Sequence, residues 1–182
     1  MSDEVLARNI DRIFVALDLN GDGILEWSDF ETKTGRIGQE FGLAEDAPEV
    51  RDFLTAYRRL WEYVHGAADV DGDAVVTKEE FEAAHVARRL SAETVVDLWM
   101  AASDRCFDVV DRNGDGYIDQ AELIALYRSA DIPDPEQTAL VAFNGMDADS
   151  DGRVDKAEFN ANVRGLLTAT DDSVKGANML GD

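Results

Sequence analysis

The chain has 182 residues, 45% hydrophobic and 31% charged, with 39 Asp and Glu against 17 Lys and Arg and a net charge of −22. That length suits one large core or two smaller ones, and the charge excludes nucleic-acid or anionic-membrane binding through a basic face. It favours cations or basic partners, so the arrangement of the acids carries the argument.

The opening segment, MSDEVLARNI, is acidic and lacks the apolar run of a leader peptide. Leu6, Ile10, Ile13, Phe14 and Leu17 then fall on one helical stripe. The stripe runs into DLNGDGILEWSD, residues 18–29. After it, Gly35, Gly38, Gly42 and Pro48 predict that the outgoing helix ends in this stretch and that a connector follows. A second helical stripe carries Phe53, Leu54, Tyr57, Leu60, Trp61 and Val64 into DVDGDAVVTKEE, residues 69–80. Ser91 opens the next helix. Cys106, the only cysteine, sits on its apolar face and reads as a core residue, and a chain without disulfides suits a reducing, cytoplasmic setting. DRNGDGYIDQAE follows at 111–122. Asp134 with Pro135 marks another helix start, and DADSDGRVDKAE occupies 147–158. No window reaches the length of a membrane-spanning helix.

The four twelve-residue stretches are one repeat. Each has oxygen-bearing side chains at its first, third and fifth positions, an apolar eighth residue (Leu25, Val76, Ile118, Val154) and a carboxylate at the twelfth (Asp29, Glu80, Glu122, Glu158). Four residues before the loops stand Phe14, His65, Phe107 and Phe143, and one residue after them Phe30, Phe81, Leu123 and Phe159. Each unit therefore reads helix, loop, helix. The units should pair one with two and three with four, so that the eighth residues meet in a short two-strand contact. Residues 1–90 would hold the first pair, 91–168 the second, and 169–182 a tail.

The spacing matches a hard divalent cation. Calcium takes six to eight oxygens at about 2.3–2.6 Å, supplied by alternate side chains, the backbone carbonyl of position seven and a carboxylate at position twelve. The candidate ligands are Asp18, Asn20, Asp22, the Ile24 carbonyl, Glu26 and Asp29 in loop one. In loop three they are Asp111, Asn113, Asp115, the Tyr117 carbonyl and Glu122. In loop four they are Asp147, Asp149, Asp151, the Arg153 carbonyl and Glu158. Loop two offers Asp69, Asp71, Asp73, the Val75 carbonyl and Glu80, but has Ala74 where the sharp turn favours Gly. Three to four Ca2+ ions follow. Asp29 is one methylene shorter than Glu, so loop one should be the least selective for Ca2+ over Mg2+, which prefers a smaller cage.

These loops resemble EF-hands; loops three and four match D-x-[DN]-x-[DN]-G-x5-E in full. At the level of architecture the chain is similar to the four-EF-hand sarcoplasmic calcium-binding proteins, in particular their prokaryotic calerythrin-like relatives. The repeat count, the long gap between loops one and two, the Asp29 ending and the tail NMLGD carry that resemblance. It implies an all-α, compact fold of two EF-hand pairs and a cytoplasmic Ca2+ buffer or transport protein. A sensor acting on a protein partner is the alternative. Against it, the chain has only Met1, Met100, Met146 and Met179 for the Met-rich groove that sensors open. Met179 and Leu180 are expected to plug an apolar cleft. His65 and His85 read as core or boundary residues, and no nucleophile motif accompanies Cys106, so catalysis is not expected.

Overall fold

The computed structural model describes residues 10–168 except 12, 19 and the side chain of 166. Leu6, Met179 and Leu180 therefore lie outside the described residues. The fold is helical. Residues 10–11 and 13–17 belong to the first helix, α1. It is followed by α2 (Trp27–Glu40), α3 (Pro48–Ala68), α4 (Lys78–Val86), α5 (Ala92–Val110), α6 (Gln120–Ser129), α7 (Pro135–Met146) and α8 (Lys156–Thr168). None of the described helices is long and apolar enough to cross a membrane.

The stripes expected from the sequence are buried: Ile10, Ile13, Phe14 and Leu17 on α1, and Phe53, Tyr57, Leu60, Trp61 and Val64 on α3. Between the helix pairs lie four two-residue strands: β1 (Ile24–Leu25), β2 (Val76–Thr77), β3 (Tyr117–Ile118) and β4 (Val154–Asp155). β1 and β2 pair antiparallel with Leu25 opposite Val76, and β3 and β4 with Ile118 opposite Val154. All four eighth-position residues are fully buried. The flanking aromatics cross over within each pair: Phe14 meets Phe81 edge-on at 5.6 Å, and Phe107 meets Phe159 at 5.8 Å. The incoming helix of loop one thus packs on the outgoing helix of loop two, and that of loop three on that of loop four, which couples the two loops of a pair mechanically.

The halves share one apolar cluster, running from Ile10 and Phe14 through Phe53, Leu60 and Trp99 to Phe159 and Leu167. α3 lies along α5 at the centre, and α2 touches α6. Arg128 ties the halves at the surface, donating to Glu40 at 3.1 Å and to Glu136 at 3.2 Å.

The outgoing helix ends inside the expected stretch: α2 runs through Gly35 and Gly38 and ends at Glu40, and a connector leads to Pro48. Gly38 is there for close packing, because a Cβ at this position would stand 3.0 Å from Val50 on α3. The stop is Gly42, left-handed at φ 71°, with the Leu43 N–H reaching back to the Gly38 carbonyl at 2.8 Å. Pro48 opens α3 in its first turn. Ser91 caps α5 through its side chain, accepting from the Thr94 N–H at 3.3 Å. Asp134 stands at the cap of α7, but in a left-handed conformation with no side-chain bond to the helix.

Candidate metal centres

The four loops share one internal scaffold, built from backbone N–H groups aimed at carboxylates. The first-position Asp accepts the sixth-position N–H: Asp18 from Gly23 at 2.9 Å, Asp69 from Ala74 at 3.2 Å, Asp111 from Gly116 at 2.9 Å, and Asp147 from Gly152 at 3.0 Å. The fifth-position Asp accepts the seventh-position N–H: Asp22 from Ile24 at 3.1 Å, Asp73 from Val75 at 3.0 Å, Asp115 from Tyr117 at 3.0 Å, and Asp151 from Arg153 at 2.9 Å. Asn20 and Asn113 each accept the N–H two residues on, at 2.8 Å. These bonds hold the side chains of each ring in place.

Position twelve separates loop one from the others. In loops two to four the Glu carboxylate spans the loop. Glu80 accepts from Val70 at 3.3 Å and Thr77 at 2.9 Å, Glu122 from Arg112 and Asp119 at 3.0 Å each, and Glu158 from Ala148 at 2.7 Å and Asp155 at 3.0 Å. Asp29 is shorter. One oxygen accepts the Glu26 N–H at 2.9 Å, while Oδ1 is buried with no hydrogen-bond partner. Glu26 itself accepts from the Ser28 hydroxyl in the first turn of α2.

A buried carboxylate oxygen left without a partner is unfavourable. Burial, followed by the charges of Asp18, Asp22 and Glu26, pushes the Asp29 carboxyl up to about 6, against the pull of the Glu26 N–H. Burial also raises Glu122, with the Asp119 N–H opposing it. Glu80 goes the other way, because the Thr77 N–H bond outweighs its burial. For Asp29 the folded state binds the proton more tightly than the unfolded chain, so the metal-free protein should lose stability as pH rises from about 4 to about 6. Asp29→Asn should flatten that slope, as read by denaturant melts in chelator; an unchanged slope would reject the assignment.

The donor set fits a hard cation. Ligand oxygens of Asp69, Asp71 and Asp73 lie within 4.8 Å of one another, as do those of Asp147, Asp149 and Asp151. All are oxygens, which suits Ca2+ or Mg2+ and not a thiolate-seeking metal. Cys106 stands apart on α5, its thiol pushed up to about 12 by burial. His85 is buried on Phe81 at 4.5 Å and bonds the Phe81 carbonyl at 2.9 Å. His65 stacks on Trp61 at 5.0 Å, with Nε2 2.9 Å from Asp69 Oδ2, the oxygen that also accepts the Ala74 N–H.

Ala74 holds the turn at φ 70°, as the loop pattern requires and a Cβ disfavours. A second strained position was not read from the sequence. Ser150, fourth in loop four, has φ 61°, and the equivalent residues are Gly21, Gly72 and Gly114. Three glycines at one repeat position were the signal that could have found it. Ala74→Gly and Ser150→Gly should each relieve about 1 kcal/mol, tightening calcium binding at that loop severalfold in a titration. No change would count against stored strain.

A profile of the EF-hand domain pair matches residues 100–164, and a single EF-hand profile matches residues 10–32. The chain is 27% identical to calerythrin of Saccharopolyspora erythraea, over 90% of this chain and 93% of that one. It is 31% identical to a probable calcium-binding protein of Oryza sativa subsp. japonica, over 82% of this chain and 75% of that one. A solved structure of a Streptomyces coelicolor calcium-binding protein, described as a basis for prokaryotic calcium-mediated regulation, superposes with a TM-score of 0.73 at 28% identity, covering 89% of this chain and 97% of that one.

Proposed function

Because the chain belongs to the EF-hand calcium-binding proteins, we propose that it serves as a cytoplasmic Ca2+ buffer or transport protein. It is a calcium-binding protein and not an enzyme, as its relatives are. The ligands in this reading are Asp18, Asn20, Asp22, Glu26, Asp29 and the Ile24 carbonyl in loop one. Loop three uses Asp111, Asn113, Asp115, Glu122 and the Tyr117 carbonyl. Loop four uses Asp147, Asp149, Asp151, Glu158 and the Arg153 carbonyl. Loop two adds Asp69, Asp71, Asp73, Glu80 and the Val75 carbonyl, with weaker binding because of Ala74. The chain then holds three to four ions, in one pair over residues 1–90 and another over 91–168. Ligation relieves the repulsion among these carboxylates, and that relief adds to folding stability.

The observation that supports buffering is the shared core. One apolar cluster runs through both halves, Met146 is 1% exposed, and the exposed large apolar side chains among the described residues are scattered valines and the Leu140–Val141 pair. The regulatory description of the Streptomyces relative favours the second reading, a sensor with a protein target. Titrating Ca2+ into the Mg2+-loaded protein with Nile red, an uncharged reporter of exposed apolar surface, separates the two. A flat or falling signal is expected, and a clear rise as the sites fill would turn the reading to a sensor.

Loop one should also take Mg2+. Its short Asp29 supplies fewer oxygens, and Mg2+ needs only about six. Asp29→Glu should raise the Ca2+ preference of this loop about tenfold or more in a competition titration; unchanged selectivity would reject the reach argument.

A further inference from the structure

Beside loop one lies a cavity of about 540 Å3, walled by α1, α2, α5 and the α6–α7 connection, a volume in the range of small-molecule sites. Val15, Ala16, Trp99 and Ile132 make its apolar wall. Lys33 reaches into the same space from α2. Among the described residues its amine has no carboxylate at ion-pair distance, although the chain has a large excess of acids. Arg36, the other cation of the wall, is already committed to Asp131 at the rim. Burial depresses the Lys33 amine, with the neighbouring Cys106 opposing it. An ammonium group held in a partly closed apolar space without a partner is unfavourable, and an incoming anion would relieve it.

We propose that this cavity binds a small organic acid with an apolar body, whose carboxylate pairs with Lys33, and that it does so when loop one holds its cation. The coupling follows from charge. Asp18 and Asp29 form both the loop-one site and one wall of the cavity. With Asp22, Glu26 and Asp131 they outnumber Lys33 and Arg36 by three charges, so the empty site repels an anion. A divalent ion in loop one cuts that excess to one and weakens the repulsion. Linkage is reciprocal, so the acid tightens the cation in turn. The coupling rests on the calcium reading of loop one; the pairing with Lys33 does not.

The test uses the full chain and calorimetry with sodium 2-naphthoate, against its uncharged counterpart naphthalene-2-methanol. In saturating Ca2+ one naphthoate should bind per chain, at least about tenfold more tightly than the alcohol. Lys33→Met should bring the acid down to the level of the alcohol, and chelator should weaken the acid by a similar factor. Equal affinity for acid and alcohol overturns the proposal without relying on the folding of any variant, as does unchanged naphthoate binding in Lys33→Met. A calcium titration of the same sample separates the two possible failures. Calcium uptake at loop one without naphthoate binding defeats the cavity alone. Naphthoate binding that ignores calcium, with loop one taking none, defeats the reading of loop one and with it the coupling.

Discussion

Chelating calcium should lower the melting temperature of this protein by tens of degrees. An ion that binds only the folded state, present at about 1,000 times its Kd, stabilises by roughly 4 kcal/mol per site. Three filled sites give on the order of 12 kcal/mol, and each kcal/mol shifts a chain of this size by about 2–4 °C. The structure supplies the reason for so large a dependence. Carboxylate oxygens converge within 4.8 Å in loops two and four, and loop one buries an unpartnered Asp29 oxygen. Without a cation these groups oppose the fold. Differential scanning calorimetry in EGTA and in saturating Ca2+ reads the shift; a difference of only a few degrees would mean that the loops contribute little to stability.

Glu122→Gln should weaken loop three by more than about 100-fold, since even groups that only orient ligands matter by 10–100-fold. Glu122 is 9% exposed, and its two oxygens accept from Arg112 and Asp119 across the loop. Gln keeps the size but loses the charge and one acceptor. Loop four should weaken as well, because Ile118 and Val154 face each other in the strand pair that joins the loops. Glu158→Gln should mirror this. Calorimetric titration of both variants checks the claim, and a loop three that binds as before would remove position twelve from the ligand set.

Much of this architecture could be read from the sequence because the repeat states each element four times. The eighth-position residues gave the strand pairing, and the helical stripes gave the faces of α1 and α3. Local chemistry was less legible where a residue serves the tertiary fold. Gly38 falls in the stretch where the sequence places the helix end, but its packing role is not legible there, because its contact with Val50 is made by a helix met later in the chain. Ser150 went unnoticed because serine does not advertise a left-handed backbone. Nothing local in the sequence singles out Lys33 among the cations of α2; only the packing of α1 and the α6–α7 connection beside it makes a cavity. Asp29 was the opposite case: its missing methylene was visible in the sequence, and the structure shows the consequence as an oxygen without a partner.

Native mass spectrometry of the full chain in calcium, beside variants with Asp18, Asp111 or Asp147 changed to Ala, tests the central claim most directly. Three or four ions on the parent, and one fewer on each variant, is the result predicted by calcium held in these loops. A parent with at most two ions, or variants that keep the parental count, would contradict it.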